Sequence, residues 1–197
     1  VVFANANTGE VLISAEERGD KESINIDLIS TRAQYEPGSS LKIFSIGLAL
    51  EQGLLDEKTE YYVEDTIELI ENSCQKDFKG YKGCYKDFLK HEPYNLSVKE
   101  IIERSSNVGT IIATKDLNIN DLEEFLSKFG FSKRTGIELS GESKGSFDPN
   151  KTCTTCLSSL SIGYSINVTQ MQMVKAYSII ANGGKNVDLT LIKSPYS

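Results

Sequence analysis

Between Leu41 and Leu50 the chain is apolar at almost every position, with Ile43, Phe44, Ile46, Leu48 and Ala49 in one run. That pattern predicts a helix buried on most faces rather than an amphipathic surface helix. The spacing places it from about Ser39 to Gln52, with Gly53 as the residue that ends it. Its entrance is Glu36-Pro37-Gly38. Pro37 biases Glu36 toward an extended backbone, and Gly38 permits a tight turn. Ser39 then falls at the N-cap or in the first turn.

The rest of the pattern predicts shorter elements. Val1-Val2-Phe3-Ala4 and Val11-Leu12-Ile13-Ser14 read as a β-hairpin around Asn7-Thr8-Gly9. Residues 16–34 are charged and read as irregular, and residues 56–90 as a long, partly irregular polar excursion. Ser97-Val98-Lys99-Glu100 has the form of a capping box and opens a helix with Val98, Ile101 and Ile102 on its apolar side. A further helix runs through Ile111, Ile112 and Ala113. Another opens at Asn120-Asp121-Leu122-Glu123, with Leu122, Phe125, Leu126 and Phe129 at helical spacing and Gly130 at its end. Residues 131–156 read as irregular apart from a short strand, Gly136-Ile137-Glu138-Leu139. A second capping box, Thr169 to Gln172, starts a helix that continues to Gly183-Gly184, and Leu189 to Ile192 reads as a strand. At 197 residues the chain is long enough for one sizeable core or a large part of a bigger one.

Composition narrows the function classes. A formal net charge of −7 argues against nucleic acid and against anionic membranes as partners. No run approaches the length of a transmembrane helix, and Val1-Val2-Phe3-Ala4 begins like the middle of a longer chain. Four cysteines, Cys74, Cys84, Cys153 and Cys156, all sit in polar sequence. Two structural readings stay open beside that of free thiols. They form disulfides, which fits an extracytoplasmic protein, or they form a four-thiolate zinc site with Cys153-Thr154-Thr155-Cys156 as one half. Either would pin the Cys74–Cys84 loop, in one version to the loop around Cys153.

Ser39 and Lys42 carry the chemistry that the pattern suggests. Three positions apart on a helix, they share a face within side-chain reach. A serine hydroxyl needs a base to take its proton, and a lysine whose pKa burial has lowered can supply one. The free backbone N–H groups of the helix start can receive an oxyanion. Alone, a Ser-x-x-Lys spacing also describes a capping serine and a surface lysine. His91 is the only histidine. It reads as a solvated loop residue, or as a metal ligand beside Cys84. No histidine lies near Ser39 in sequence, which argues against a Ser-His-Asp triad.

Tyr35-Glu36-Pro37-Gly38-Ser39-Ser40-Leu41-Lys42 resembles the nucleophile motif of the penicillin-binding proteins, for which S-x-x-K, S-x-N and K-T-G are the known signatures. Ser105-Ser106-Asn107-Val108-Gly109 resembles the second signature. Further phrases match in the expected order: Thr8-Gly9-Glu10; Lys128-Phe129-Gly130-Phe131; Thr135-Gly136-Ile137-Glu138-Leu139 with Gly141-Glu142; Ser161 to Gln170; and Ala181-Asn182-Gly183-Gly184. The likeness spans nearly the whole chain and is to the class B, high-molecular-weight transpeptidases. It implies an α/β (α+β), β-lactamase/transpeptidase-like fold, here mostly its helical portion with N-terminal sheet strands, as part of one transpeptidase domain over residues 1–197.

By the same resemblance Ser39 is the acylated nucleophile and Lys42 its base. Ser105 relays a proton to the leaving amine. Asn107 binds the substrate amide and helps hold Lys42. Ser39 N–H is half of the oxyanion hole, and Ser39, Ser105 and Asn107 together bind substrate. The implied function is a peptidoglycan D,D-transpeptidase that cross-links stem peptides and is acylated by β-lactams. It would need no cofactor and would work with a cell-wall synthesis or division complex, on the periplasmic or extracytoplasmic face of the bacterial inner membrane, with an anchor outside this chain. A serine β-lactamase, a β-lactam sensor and a non-catalytic scaffold of the same fold are the alternatives. K-T-G itself is absent: Lys133-Arg134-Thr135-Gly136 has an extra residue and Lys151-Thr152-Cys153 lacks the glycine. The chain therefore reads as the N-terminal portion of the domain, incomplete at the C-terminus. Expected consequences are poor acylation by this stretch alone and, through an uncovered sheet edge, self-association.

Overall fold

The computed structural model describes residues 1–15, 29–75, 83–148 and 153–193. In chain order they form β1 (Val2–Ala4), β2 (Val11–Ser14), a helical turn α1 (Ile29–Arg32), a 3-10 turn (Gly38–Leu41) that runs into α2 (Lys42–Glu51), β3 (Glu60–Val63), β4 (Thr66–Glu68), β5 (Cys84–Lys86), β6 (Tyr94–Ser97), α3 (Val98–Glu103), α4 (Asn107–Ala113), α5 (Ile119–Lys128), β7 (Ser146–Phe147), α6 (Cys156–Ser161), β8 (Ile166–Asn167) and α7 (Gln170–Ala181). Two compact units emerge. One comprises Val1–Glu36, Glu124–Phe147 and Ile166–Ser197; the other comprises Pro37–Glu123 and Asp148–Ser165.

In the first unit β1 and β2 pair antiparallel, Val2 opposite Ser14, as the hairpin pattern predicts. Gly9 takes φ +76°, and a Cβ there would lie 2.0 Å from the Asp188 carbonyl oxygen, so the turn requires glycine. α7 packs on β1 and α1. Its inner face joins Ile137, Met171 and Leu189 to Val2, Ala4 and Val11. The predicted capping box opens α7: the Thr169 hydroxyl accepts from Gln172 N–H while the Gln172 side chain accepts from Thr169 N–H. The buried Gln172 amide also donates to the carbonyls of Lys133 and Lys144, both at 2.7 Å.

Glu142 explains why the predicted strand Gly136 to Leu139 does not form. The Glu142 carboxylate takes the N–H groups of Thr135 (2.7 Å) and Gly136 (3.1 Å), and Leu139 N–H turns back to the Ile137 carbonyl. The strand pair lies further on, where β7 meets β8 antiparallel. The predicted strand Leu189 to Ile192 is reduced to one parallel bridge, Glu10 to Thr190, because Leu191 N–H donates to Glu138 instead of a neighbouring strand. α1 is ordered helix where irregular chain was expected, with Ser30 and Thr31 buried. Residues 16–28 of that stretch lie outside the described residues.

In the second unit α2 is the centre. It packs against α3, α4 and α6, and buries Leu41, Phe44, Ile46, Leu48 and Ala49. At about 25 cal/mol per Å² of apolar surface, each of the larger side chains, Ala49 apart, contributes roughly 1.5–3 kcal/mol. The Ser97–Glu100 capping box opens α3 as predicted. The expected irregular excursion is instead a nested antiparallel ribbon. β3 pairs with β6 (Val63 opposite Tyr94), and β4 pairs with β5 (Thr66 opposite Lys86). Strands this short with distant partners leave little alternation to read. Residues 76–82 of the excursion lie outside the described residues.

The cysteines are paired Cys74–Cys84 and Cys153–Cys156, each within its own loop. The zinc alternative needs four converging thiolates, and among the described residues no three His, Cys, Asp or Glu side chains are grouped to hold a metal ion. Nor do the two cysteine loops share a disulfide. They approach through Tyr85, whose hydroxyl lies 3.3 Å from the Thr155 carbonyl and 2.7 Å from Ser159 Oγ.

Candidate active site

All four candidate residues belong to the second unit. Ser39 is exposed, in the 3-10 turn that precedes α2 rather than in the α-helix itself. No side chain caps that turn, so Ser39 is a first-turn residue and not an N-cap. The turn is fixed from outside: Gly38 N–H donates to the Gly163 carbonyl at 3.0 Å. A Cβ at Gly163 would lie 1.9 Å from the Gly38 carbonyl oxygen, so glycine there lets the two backbones meet. Ser45 Oγ sits 3.0 Å from the Lys42 carbonyl and 2.8 Å from the Ser161 carbonyl, anchoring the first turn of α2 to the end of α6.

Lys42 is only 3% exposed. Its Nζ donates to the Ser105 carbonyl at 2.5 Å and to Ser105 Oγ at 3.2 Å. It makes no hydrogen bond to Ser39, so in the resting site the ammonium is parked on the Ser-Ser-Asn corner. Burial lowers its pKa to about 8, against the opposing pull of the Asp87 carboxylate. Ser105 holds φ +54°, a left-handed backbone rarely taken by non-glycine residues. Such strain recurs at functional sites.

Asn107 begins α4. Its Nδ2 donates to the Lys86 carbonyl at 2.7 Å and makes no hydrogen bond to Lys42. The group that holds Lys42 here is Ser105, through its carbonyl and its hydroxyl. Neither Ser39 Oγ nor Ser39 N–H donates to another group among the described residues, which leaves the hydroxyl free to react and the N–H free to receive an oxyanion.

These groups share a cleft of about 400 Å³, lined by Ser39, Ser105 and Asn107 together with Phe88, Arg104, Ile162 and Tyr164. A neighbouring opening of about 390 Å³ shares Phe88, Arg104 and Ser105, and is walled by Asp87, Lys90, His91 and Tyr94. The sequence reading missed Phe88, Arg104 and Tyr164. Arg104 was adjacent to the motif and its guanidinium lies 5.1 Å from the Tyr94 ring centroid. Phe88 is 97% exposed and lines both openings. His91, read as a solvated loop residue or a metal ligand, lies in the loop between β5 and β6. It stacks on Tyr94 and its Nε2 lies 3.1 Å from Asp87.

Comparison with known proteins gives concordant matches. A family model described as penicillin binding protein transpeptidase domain matches residues 1–197. The chain is 29% identical over 202 residues to penicillin-binding protein PbpB of Mycolicibacterium smegmatis, covering 98% of this chain and 30% of that protein. It is 29% identical over 201 residues to the peptidoglycan D,D-transpeptidase FtsI of Buchnera aphidicola subsp. Schizaphis graminum, covering 98% of this chain and 33% of that protein. The solved structure of penicillin binding protein 3 from Mycobacterium tuberculosis complexed with aztreonam superposes with a TM-score of 0.80 at 27% identity, covering 100% of this chain and 44% of that one. The chain thus spans 30% to 33% of the length of these two curated relatives.

Proposed function

This chain belongs to the penicillin binding protein transpeptidase domain family, and from that premise we propose that its protein is a peptidoglycan D,D-transpeptidase working through an acyl-Ser39 intermediate. The fold is the β-lactamase/transpeptidase-like fold of its structural neighbours. The observation that carries the reading is the arrangement around Lys42: a buried amine held at Ser105, in a corner that opens on the Ser39 cleft.

The steps follow from that geometry. With a pKa of about 8, about a tenth of Lys42 is neutral at pH 7. The neutral amine takes the Ser39 hydroxyl proton as Oγ bonds to the carbonyl carbon of the penultimate D-alanine of a stem peptide. Ser39 N–H stabilises the oxyanion, and Asn107 donates to the substrate amide. The C–N bond breaks, and the proton passes from Lys42 through Ser105 to the departing D-alanine amine. The amine of a second stem peptide then attacks the ester, forming the cross-link and returning the proton to Ser39. A β-lactam follows the first half: its ring opens on Ser39 and no leaving group departs. Support comes from the relative named a D,D-transpeptidase and from the structural neighbour complexed with aztreonam. No cofactor enters these steps.

The two disulfides support an extracytoplasmic location, since such bonds persist in oxidising compartments. The partners are then the stem peptides and the cell-wall synthesis or division complex that supplies them. The deciding assay supplies the full-length protein with donor and acceptor stem peptides. Release of D-alanine with a cross-linked product is expected, and none from Ser39→Ala. Rapid hydrolysis of a β-lactam without cross-linking identifies a β-lactamase instead. Neither activity from folded protein identifies a scaffold.

A further inference from the structure

Asp87 follows β5 directly and was not among the residues the sequence singled out. Its side chain is only 7% exposed. Three donors of the Ser-Ser-Asn corner converge on it: Ser106 Oγ at 2.8 Å, Asn107 N–H at 2.6 Å and Val108 N–H at 3.0 Å. Ser106 in turn accepts from Gly109 N–H, so the start of α4 is built on this one carboxylate. The adjacent Lys86 carbonyl receives the Asn107 side-chain amide, so residues 86 and 87 together hold Asn107 by its side chain and its backbone.

We propose that Asp87 is a positioning residue for acylation, one that sets the Ser105–Asn107 corner and through it the place and charge of Lys42. The step concerned is the acylation proposed above, so the inference rests on that reading. Ser105 bonds Lys42 and Asn107 faces the cleft, and the backbone between them hangs on Asp87. A carboxylate accepting two backbone N–H groups and a hydroxyl is a strong, directional clamp. It also places a negative charge close enough to favour the protonated form of Lys42.

His91 backs the carboxylate. Its Nδ1 lies 2.9 Å from the Glu92 carbonyl and its Nε2 3.1 Å from Asp87, and both partners are acceptors. Only the imidazolium donates at both nitrogens. Burial opposes that charge, but the bonds to Glu92 and Asp87, with the field of Asp65, raise the ring above its ordinary value. The charged and titratable groups around the clamp are Lys42, His91 and Asp65, with Lys86, Lys90, Tyr94 and Arg104 lining the openings beside it.

The test measures acylation of the full-length protein by fluorescent penicillin as a function of pH, with a thermal melt for each variant. Asp87→Asn is expected to lower the plateau rate at least tenfold and to move the acid limb of the profile to lower pH. Asp87→Glu restores the limb toward its wild-type position. Ser106→Ala, which removes one strut and keeps the charge, lowers the melting temperature and leaves the limb where it was. His91→Gln in each background removes the other titrating group from the profile. An unmoved limb in Asp87→Asn, with a rate loss that merely tracks the folded fraction, overturns the proposal. If the wild type itself never labels, the acylation reading has failed. Hydrogen exchange then decides the clamp: faster exchange at the Asn107 and Val108 amides in Asp87→Asn upholds it, and unchanged protection overturns it.

Discussion

Lys42 faces a carbonyl and a hydroxyl, not a carboxylate, and that choice of partner governs its titration. A directly paired carboxylate would hold the proton too firmly for a base; burial beside neutral oxygens lowers the pKa to about 8 from its ordinary 10.5. The linkage sign follows. Between those two values the unfolded chain keeps a proton that the folded chain has released, so stability from this group rises with pH through that window, and below it the buried charge is destabilising. Lys42→Met is therefore expected to raise stability at pH 7 by on the order of 1 kcal/mol, read by denaturant unfolding, while acylation falls by roughly 10²–10⁴-fold. In the wild type the acylation rate should climb with pH to about 8 and then level. A flat profile contradicts Lys42 as the base. The Ser39–Lys42 pair was legible because its motif is local. Its dependence on Ser105 was not, since that contact joins residues 63 apart.

At the level of elements, the nucleophile is held by what surrounds its turn. Gly163 has φ +86°, and any side chain there meets the Gly38 backbone. Gly163→Ala should displace the 3-10 turn and reduce acylation by about 10²-fold, the scale expected when a reacting group is misplaced by about 1 Å; circular dichroism should still report a folded protein. The Cys74–Cys84 bond closes the ribbon whose β5 strand leads to Asp87. Replacing both cysteines with serine should lower stability by about 2–3 kcal/mol on the chain-entropy scale, checked by urea midpoint. Helices with their own caps, α3 and α7, were readable from sequence because the signal is contained in four residues. The ribbon, α6 and the path of the chain through residues 131–145, which the sequence left only as irregular with one short strand, were not. Their order comes from distant partners, a disulfide at Cys84, Tyr85 on Ser159, and Gln172 on Lys133 and Lys144.

At the scale of the whole molecule, the family was legible through motif order, while composition alone reached only an acidic chain unsuited to nucleic acid. No helix among the described residues is long and apolar enough to cross a membrane. The chain spans 30% to 33% of the length of two curated relatives, so the proposed activity is to be measured on the full-length protein. The most direct measurement is the site of covalent attachment. The full-length protein is incubated with benzylpenicillin, digested and mapped by mass spectrometry. One adduct per chain on the peptide carrying Ser39, lost in Ser39→Ala, is the predicted result. An adduct on another residue, or none on folded protein, contradicts the account.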